Sequence, residues 1–233
     1  MERKRIFLIR HAQSRVNQLV EEHSRLGKIA DLPSLEFSPE SIDTELSPHG
    51  ESQAIQVIAS ARALHIKIVL VSPLRRALKT AKILFENHPD RPRIIVHPSL
   101  TENLHHGADV SSYQGLPYQD YLNFDWSLIS SDYYLLNVIQ NEFTERLKSF
   151  PIQNVPVELL NTMRNMQPNW IETDESIYRR AQDTKEIWKK YLEEGNIALV
   201  GHSNFMKFFT MSRDKRSFKW LENCEIYEYE GLL

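Results

Sequence analysis

The sequence predicts an α/β fold, a three-layer sandwich in which a mostly parallel central sheet carries helices on both faces, with a lid-like segment inserted at about residues 103–170. Three observations lead there. Short apolar runs end abruptly in polar loops, helical patterns alternate with those runs along the chain, and one long stretch shares neither design.

The first run, within Arg5 to Arg10, is IFLI followed by RHAQS, which reads as a buried strand ending in a loop. IKIVLVS (Ile66 to Ser72) is β-branched and stops at Pro73, and NIALVGHS (Asn196 to Ser203) is apolar and turns at Gly201. RIIV (Arg93 to Val96) is a fourth candidate strand. EIYEY (Glu225 to Tyr229) alternates as an edge strand does.

The first helix opens with Ser47 as N-cap and Pro48 at the first helical position, with Ala54, Val57, Ile58, Ala61 and Leu64 forming one apolar stripe. A second begins near Pro73 and carries Leu74, Ala77, Leu78, Ala81, Leu84 and Phe85. A third carries Ile177, Ala181, Trp188, Tyr191 and Leu192. The stretch from Asn103 to Trp170 is richer in Tyr, Asn, Ser and Gln, with one helical pattern at Leu136, Ile139, Phe143, Leu147 and Phe150. No repeat or flexible linker divides the chain, so residues 1–233 read as one domain with an insertion.

Composition narrows the function. An apolar fraction of 41%, a charged fraction of 25% and a formal charge of -3 are ordinary for a soluble globular protein and suggest no nucleic-acid or membrane partner. The opening MERKRIFLIRHAQ lacks the apolar core and cleavage site of a signal peptide, and no 18 apolar residues follow one another, so a cytoplasmic protein is expected. The lone Cys224 forms no internal disulfide and suits a reducing compartment.

Ligands of such sheets gather at the carboxyl ends of strands, where RHAQS, SPLRRA and GHSNF all fall. Arg10 offers a permanently charged fork for phosphate oxygens, and His11 a lone pair near neutral pH. Arg75 and Arg76 open a helix, where backbone N–H groups also favour an anion, and one of the two should point inward. His202 follows a strand and a glycine. Taken singly, the two basic pairs are better explained as solvated surface charges and His202 equally well as a structural histidine; together the three segments are far more specific than any of them separately.

LIRHAQS, LSPHGESQA, SPLRRALKTA, LTEN and GHSNF, in that order from Ile6 to about Phe205, resemble the histidine phosphatase superfamily, which includes phosphoglycerate mutases. The resemblance implies a phosphomonoester hydrolase that needs no metal or other cofactor. His11 matches the histidine that is phosphorylated, Arg10 and Arg76 the arginines on either side of the phosphate, and His202 the second pocket histidine, which protonated would join them. Ser14 and Asn17 match secondary phosphate contacts, and Glu102 in LTE the proton donor. Small phosphate esters or phosphoproteins are the implied substrates; the oligomeric state is left open.

The mutases' Trp-Asn pair and glycine-rich stretch are missing: RVNQ leads instead into a polar segment reaching Asp43, read as a solvated loop with Arg25 and Lys28 available for a second anion. Hydrolysis is therefore the preferred reading. A phosphoglycerate mutase and a catalytically silent phospho-ligand binder are the alternatives. A serine hydrolase is set aside because no histidine follows Ser203, a cysteine phosphatase because no arginine follows Cys224, and a structural zinc because His105 and His106 lack a partnering motif. The aromatics Tyr113, Tyr118, Tyr121, Phe124 and Trp126 read as packing within the inserted segment.

Overall fold

Neighbouring residues of β1 (Ile6–Arg10) face opposite layers, Ile6 and Leu8 packing into one apolar cluster and Phe7 and Ile9 into the other, as the two-residue period of a strand requires. In the computed structural model, which describes residues 3–112, 118–129, 135, 138, 142–165, 172–212, 214 and 216–231, four further strands complete the sheet. They are β2 (Ile66–Val71), β3 (Arg93–Val96), β4 (Asn196–Gly201) and β5 (Ile226–Tyr229), in the order β3-β2-β4-β1-β5. All pairings are parallel except that of β5 with β1, so the EIYEY segment is an antiparallel edge. A register irregularity between Ile66 and Ile68 turns Ile66 to the cluster opposite its alternation partner.

Six helices of eight residues or more lie among the described residues: α1 (Arg15–Arg25), α2 (Pro48–Gln56), α3 (Arg75–Phe85), α4 (Val155–Asn165), α5 (Asp174–Leu192) and α6 (Ser203–Thr210). Ala77, Leu78, Ala81, Leu84 and Phe85 of α3 are buried in one cluster with Phe7, Val69 and Val71, and Leu74 before the helix is buried too. On the other face α5 and α6 bring Ile177, Ala181, Trp188, Phe205 and Phe209 onto Leu8, Leu70 and Leu199. Trp188 and Phe209 meet at a tilt with ring centroids 4.9 Å apart, and burial of a large apolar side chain contributes ~1.5–3 kcal/mol. The helix expected after Ser47 does form, its cap hydroxyl accepting from the Gly50 amide at 2.9 Å, but it breaks at Val57 before resuming as Ile58–Arg62.

Two expectations change. The polar segment after Asn17 is largely helical rather than a solvated loop, since α1 runs to Arg25 and short turns follow at Ile29–Asp31 and Leu32–Glu36. Arg25 and Lys28 are exposed there. Within residues 103–170, the expected helix is seen as Glu142–Leu147, and α4 follows it as a second, unexpected one. Leu147, Val155, Leu159 and Met163 pack with Leu104 and Val110 into a separate cluster. Leu136, Ile139, the Phe143 side chain, Tyr113 and Trp170 lie outside the described residues. Tyr121 and Phe124 are buried with ring centroids 5.5 Å apart, which gives these aromatics the packing role expected of them. Among the described residues no helix is long and apolar enough to cross a membrane.

Candidate active site

The parallel pairings run one residue past the strands and so bring three loops together. The His11 amide donates to the Gly201 carbonyl at 2.8 Å, and the Ser72 amide donates to the Val200 carbonyl at 3.0 Å. His11, Ser72 and His202 consequently meet at the carboxyl edge of β1, β2 and β4, where an open α/β sheet takes its ligands. The His11 and His202 rings lie 5.0 Å apart, and both are buried.

His11 is held as one tautomer. Its Nδ1 lies 2.7 Å from the Ala12 carbonyl, an acceptor only, so the proton sits on Nδ1 and Nε2 keeps its lone pair. That lone pair accepts from Arg76 Nε at 3.2 Å. Burial, and then the Arg76 and Arg10 guanidiniums, hold the ring's pKa well below the usual imidazole range, so His11 is neutral at physiological pH. The loop around it is anchored on several sides. The Ala12 amide donates to Thr80 Oγ1 at 3.1 Å, the Asn223 amide group donates to the His11 carbonyl at 2.7 Å, and Gly50 presses on Gln13 so closely that a Cβ would lie 2.0 Å from its carbonyl oxygen.

Of the two adjacent arginines, Arg76 turns inward and is buried, whereas Arg75 stays near the surface, paired with Glu45 and placed over the Tyr118 ring. Arg76 Nη1 donates to the Ala108 carbonyl and Nη2 to Asp109 Oδ1 at 2.9 Å. Arg10 donates through Nη1 to the Leu221 carbonyl at 3.0 Å; its buried Nε has no partner, and burial lowers its pKa.

Glu102 is buried at the start of α6, where its carboxylate accepts the Phe205 amide at 2.9 Å, the Asn204 amide at 3.1 Å and its neighbour Asn103 at 2.8 Å. Those bonds favour the charged form. Burial and the Asp109 charge outweigh them and raise its pKa to about 7, so near neutrality the group is divided between acid and carboxylate. The His202 ring is pushed well below the imidazole range by burial and then by Arg76, so it is neutral in this structure. Its Nε2 lies 2.7 Å from Ser72 Oγ, and its buried Nδ1 has no partner.

Ser14 and Asn17 serve each other. The Ser14 hydroxyl accepts the Asn17 amide at 3.1 Å and Asn17 Oδ1 accepts the Ser14 amide at 3.2 Å, a reciprocal cap that starts α1 directly after the His11 loop. Cys224 is buried with its thiol pushed up to about 12, which suits no nucleophile. His105 and His106 form part of a turn; the first meets Asn103 at 2.7 Å and the second Asp109 at 3.4 Å. Among the described residues no group of three or more His, Cys, Asp and Glu side chains is placed to hold a metal.

The sequence reading missed four residues that the site uses. Asp109 pairs with Arg76, and Ser72 meets His202. Arg180 and Glu172 form a buried pair around the Glu102 segment: Arg180 donates to Glu172 Oε1 at 2.7 and 2.9 Å and to the carbonyls of Ser99 and Thr101 at 2.9 and 2.8 Å, while Glu172 Oε2 accepts the Leu104 amide at 3.3 Å. Ser72 stands in the same SPLRRA motif as Arg76, so its role was within reach of the sequence.

A neutral imidazole and two arginines stand together at the carboxyl edge of the mostly parallel sheet of an α/β protein, an arrangement able to take an anion such as phosphate. The description of the histidine phosphatase superfamily (branch 1) matches residues 6–121, and the chain belongs to that superfamily. Phosphoryl transfer is the general chemistry this supports. Comparison with curated proteins returns no match. Among solved structures, a phosphoglycerate mutase from Bacillus anthracis superposes with a TM-score of 0.54 at 14% identity, covering 97% of this chain and 86% of that one. A mycobacterial glucosyl-3-phosphoglycerate phosphatase in complex with VO3 gives 0.53 at 15% identity, covering 97% and 90%. A protein described as mycobacterial hydrolase 1 gives 0.53 at 16%, covering 97% and 88%. At these identities the likeness concerns the fold.

Proposed function

We propose that the chain is a phosphomonoester hydrolase that works through a phosphohistidine on His11 and requires no metal. The observation that carries the reading is the state of His11: buried, neutral, and fixed as the tautomer whose Nε2 lone pair faces the Arg76 guanidinium.

In the first step Nε2 attacks phosphorus as the ester P–O bond breaks, and the leaving oxygen takes the proton of Glu102. Arg76 exchanges its contact with Nε2 for the phosphate oxygens, where charge concentrates in the transition state, and Arg10 binds them from the other side. Water then attacks phosphorus, gives its proton to the Glu102 carboxylate, and the N–P bond breaks to return neutral His11 and inorganic phosphate. A group with a pKa near 7 suits both duties, and such acid-base assistance contributes ~10²- to 10⁴-fold. His202 lends its ring to the same oxygens. Ser14 and Asn17 act indirectly, by starting α1 where the His11 loop ends. The segment at about 103–170 acts as the lid, because its Ala108 and Asp109 already close on Arg76. A reducing, cytoplasmic setting fits the unpaired Cys224.

The test is release of inorganic phosphate from a panel of esters in the presence of EDTA, by wild type and His11→Ala side by side. Wild type should turn over in chelator and the variant should lose nearly all activity while its circular dichroism is unchanged. Equal rates in the two proteins would defeat the proposal. Interconversion of 2- and 3-phosphoglycerate without phosphate release would establish the mutase reading in its place.

A further inference from the structure

The proposed phosphate pocket contains an acid that takes no proton and touches no reacting atom in the chemistry above. Asp109 is buried, and each of its oxygens is committed: Oδ1 accepts from Arg76 Nη2 at 2.9 Å, and Oδ2 accepts the backbone amides of His105 at 3.1 Å and His106 at 3.3 Å. It is therefore a fixed charge, held on the same guanidinium that reaches His11 through its Nε. The turn that carries it is fixed as well, because Gly107 packs where a Cβ would lie 1.9 Å from Ser41 Oγ. A second buried carboxylate stands at the start of α3. Asp43 accepts the Arg75 amide at 2.9 Å, the Ser112 amide at 3.0 Å and the Tyr118 hydroxyl at 3.0 Å, and among the described residues it forms no ion pair.

The cations around these acids are already matched. Arg75 is paired with Glu45 and Arg180 with Glu172. Arg76 is half neutralised by Asp109, which leaves Arg10 as the site's cation without an ion pair among the described residues. One phosphate dianion satisfies Arg10 and Arg76 completely. A second anionic group beside that phosphate would find Arg10 and Arg76 already engaged and the Asp109 carboxylate next to them.

We propose that Asp109 determines specificity by charge, admitting phosphomonoesters whose leaving group is neutral or cationic and rejecting those that carry a second anion near the phosphate. This rests on the phosphohydrolase reading and narrows its substrate class. Two unit charges ~6–8 Å apart at an effective dielectric of ~20 repel enough to change a binding constant by roughly thirty- to a hundredfold. With part of that screened, discrimination of at least about tenfold is expected.

The experiment measures kcat/KM on three esters matched in size, in EDTA at one ionic strength: phosphoethanolamine (cationic), glycerol 3-phosphate (neutral) and 3-phosphoglycerate (anionic). Wild type should rank the first two at least about tenfold above the third. Asp109→Asn should shrink that ratio at least about threefold, mainly by lowering KM for 3-phosphoglycerate. Wild type that turns over 3-phosphoglycerate as readily as glycerol 3-phosphate overturns the inference, and this arm needs no variant to fold. So does an Asp109→Asn protein whose ratio between the esters is that of wild type, whatever its overall rate, because Asp109 would then only orient Arg76 and raise Glu102. If His11→Ala matches wild type, the phosphohistidine reading falls while the substrate ratio still judges Asp109. A folded wild type inert on every ester removes both.

Discussion

Arg180→Met removes the cation of the buried pair beside the Glu102 segment and fills its volume with an apolar chain. The Glu172 side chain is 0% exposed, so its carboxylate would be left in the interior without a counter-charge, held only by the Leu104 amide, and the carbonyls of Ser99 and Thr101 would lose their donor. Breaking a buried pair from one side costs about 3–5 kcal/mol, a large share of the ~5–15 kcal/mol that stabilises a typical domain. Glu172→Gln should cost a similar amount, because it strands the guanidinium. The double variant should lose about 2–3 kcal/mol less than the sum of the two, since each deletion removes the charge that made the other harmful. Urea unfolding followed by tryptophan fluorescence reads all three midpoints. The kinetic counterpart is selective: Ser99, Thr101 and Leu104 flank Glu102, so loosening them should slow glycerol 3-phosphate more than p-nitrophenyl phosphate, whose phenolate needs little protonation. A single variant within about 1 kcal/mol of wild type, or a double variant equal to the sum, would refute the reasoning.

Two further predictions concern protons. Glu102 has its pKa raised to about 7, so its acid form is present below that pH and lost above it; kcat/KM for an ester with a poor leaving group should fall as pH rises through about 7, and Glu102→Gln should abolish that limb. Persistence of the limb in Glu102→Gln would assign it to another group. His202 is kept neutral first by burial and then by nearby cations, and a phosphate dianion beside it reverses the sign of the second influence only, so binding of inorganic phosphate well above its own second ionisation should take up a fraction of a proton. Calorimetry in buffers of different ionisation enthalpy measures the uptake; identical heats in every buffer would contradict it.

The parts legible in the sequence were those written in local pattern. All five strands and the helices α2, α3 and α5 announce themselves by apolar spacing, and three strand ends place RHAQS, SPLRRA and GHSNF at one edge. α1 was missed because Val16 is its only buried residue, leaving too thin a stripe to distinguish from a loop. α4 does carry Val155, Leu159, Leu160 and Met163 at helical spacing, but Pro151 and Pro156 punctuate its start. Asp109 had no local mark at all. Its partner lies 33 residues away, and the fold alone joins a turn of the inserted segment to the head of α3. The same holds for Glu172 and Arg180, whose shared purpose is visible only once Ser99, Thr101 and Leu104 lie between them.

What unifies the site is that its charges are meaningful only as a set. Two imidazoles 5.0 Å apart and two guanidiniums occupy one buried volume, and that volume is stable only if the imidazoles stay neutral. Neutrality is also what a nucleophile requires, so on the phosphohydrolase reading the cations proposed to bind phosphate are among the agents that prepare His11 to attack it. The same cations, unopposed, would draw Glu102 down into the carboxylate range and leave no acid for the leaving group. Burial first, and Asp109 after it, resolve this conflict: Asp109 offsets Arg76 and adds to the rise of Glu102, while lying too far along the guanidinium to occupy the Nε that faces His11. Arg76 touches every one of these balances, and any substitution there changes the nucleophile, the acid and the anion site at once. Asp109, by contrast, can be altered with the Arg76–His11 contact left in place, which makes it the residue through which the charge balance of this pocket is open to adjustment.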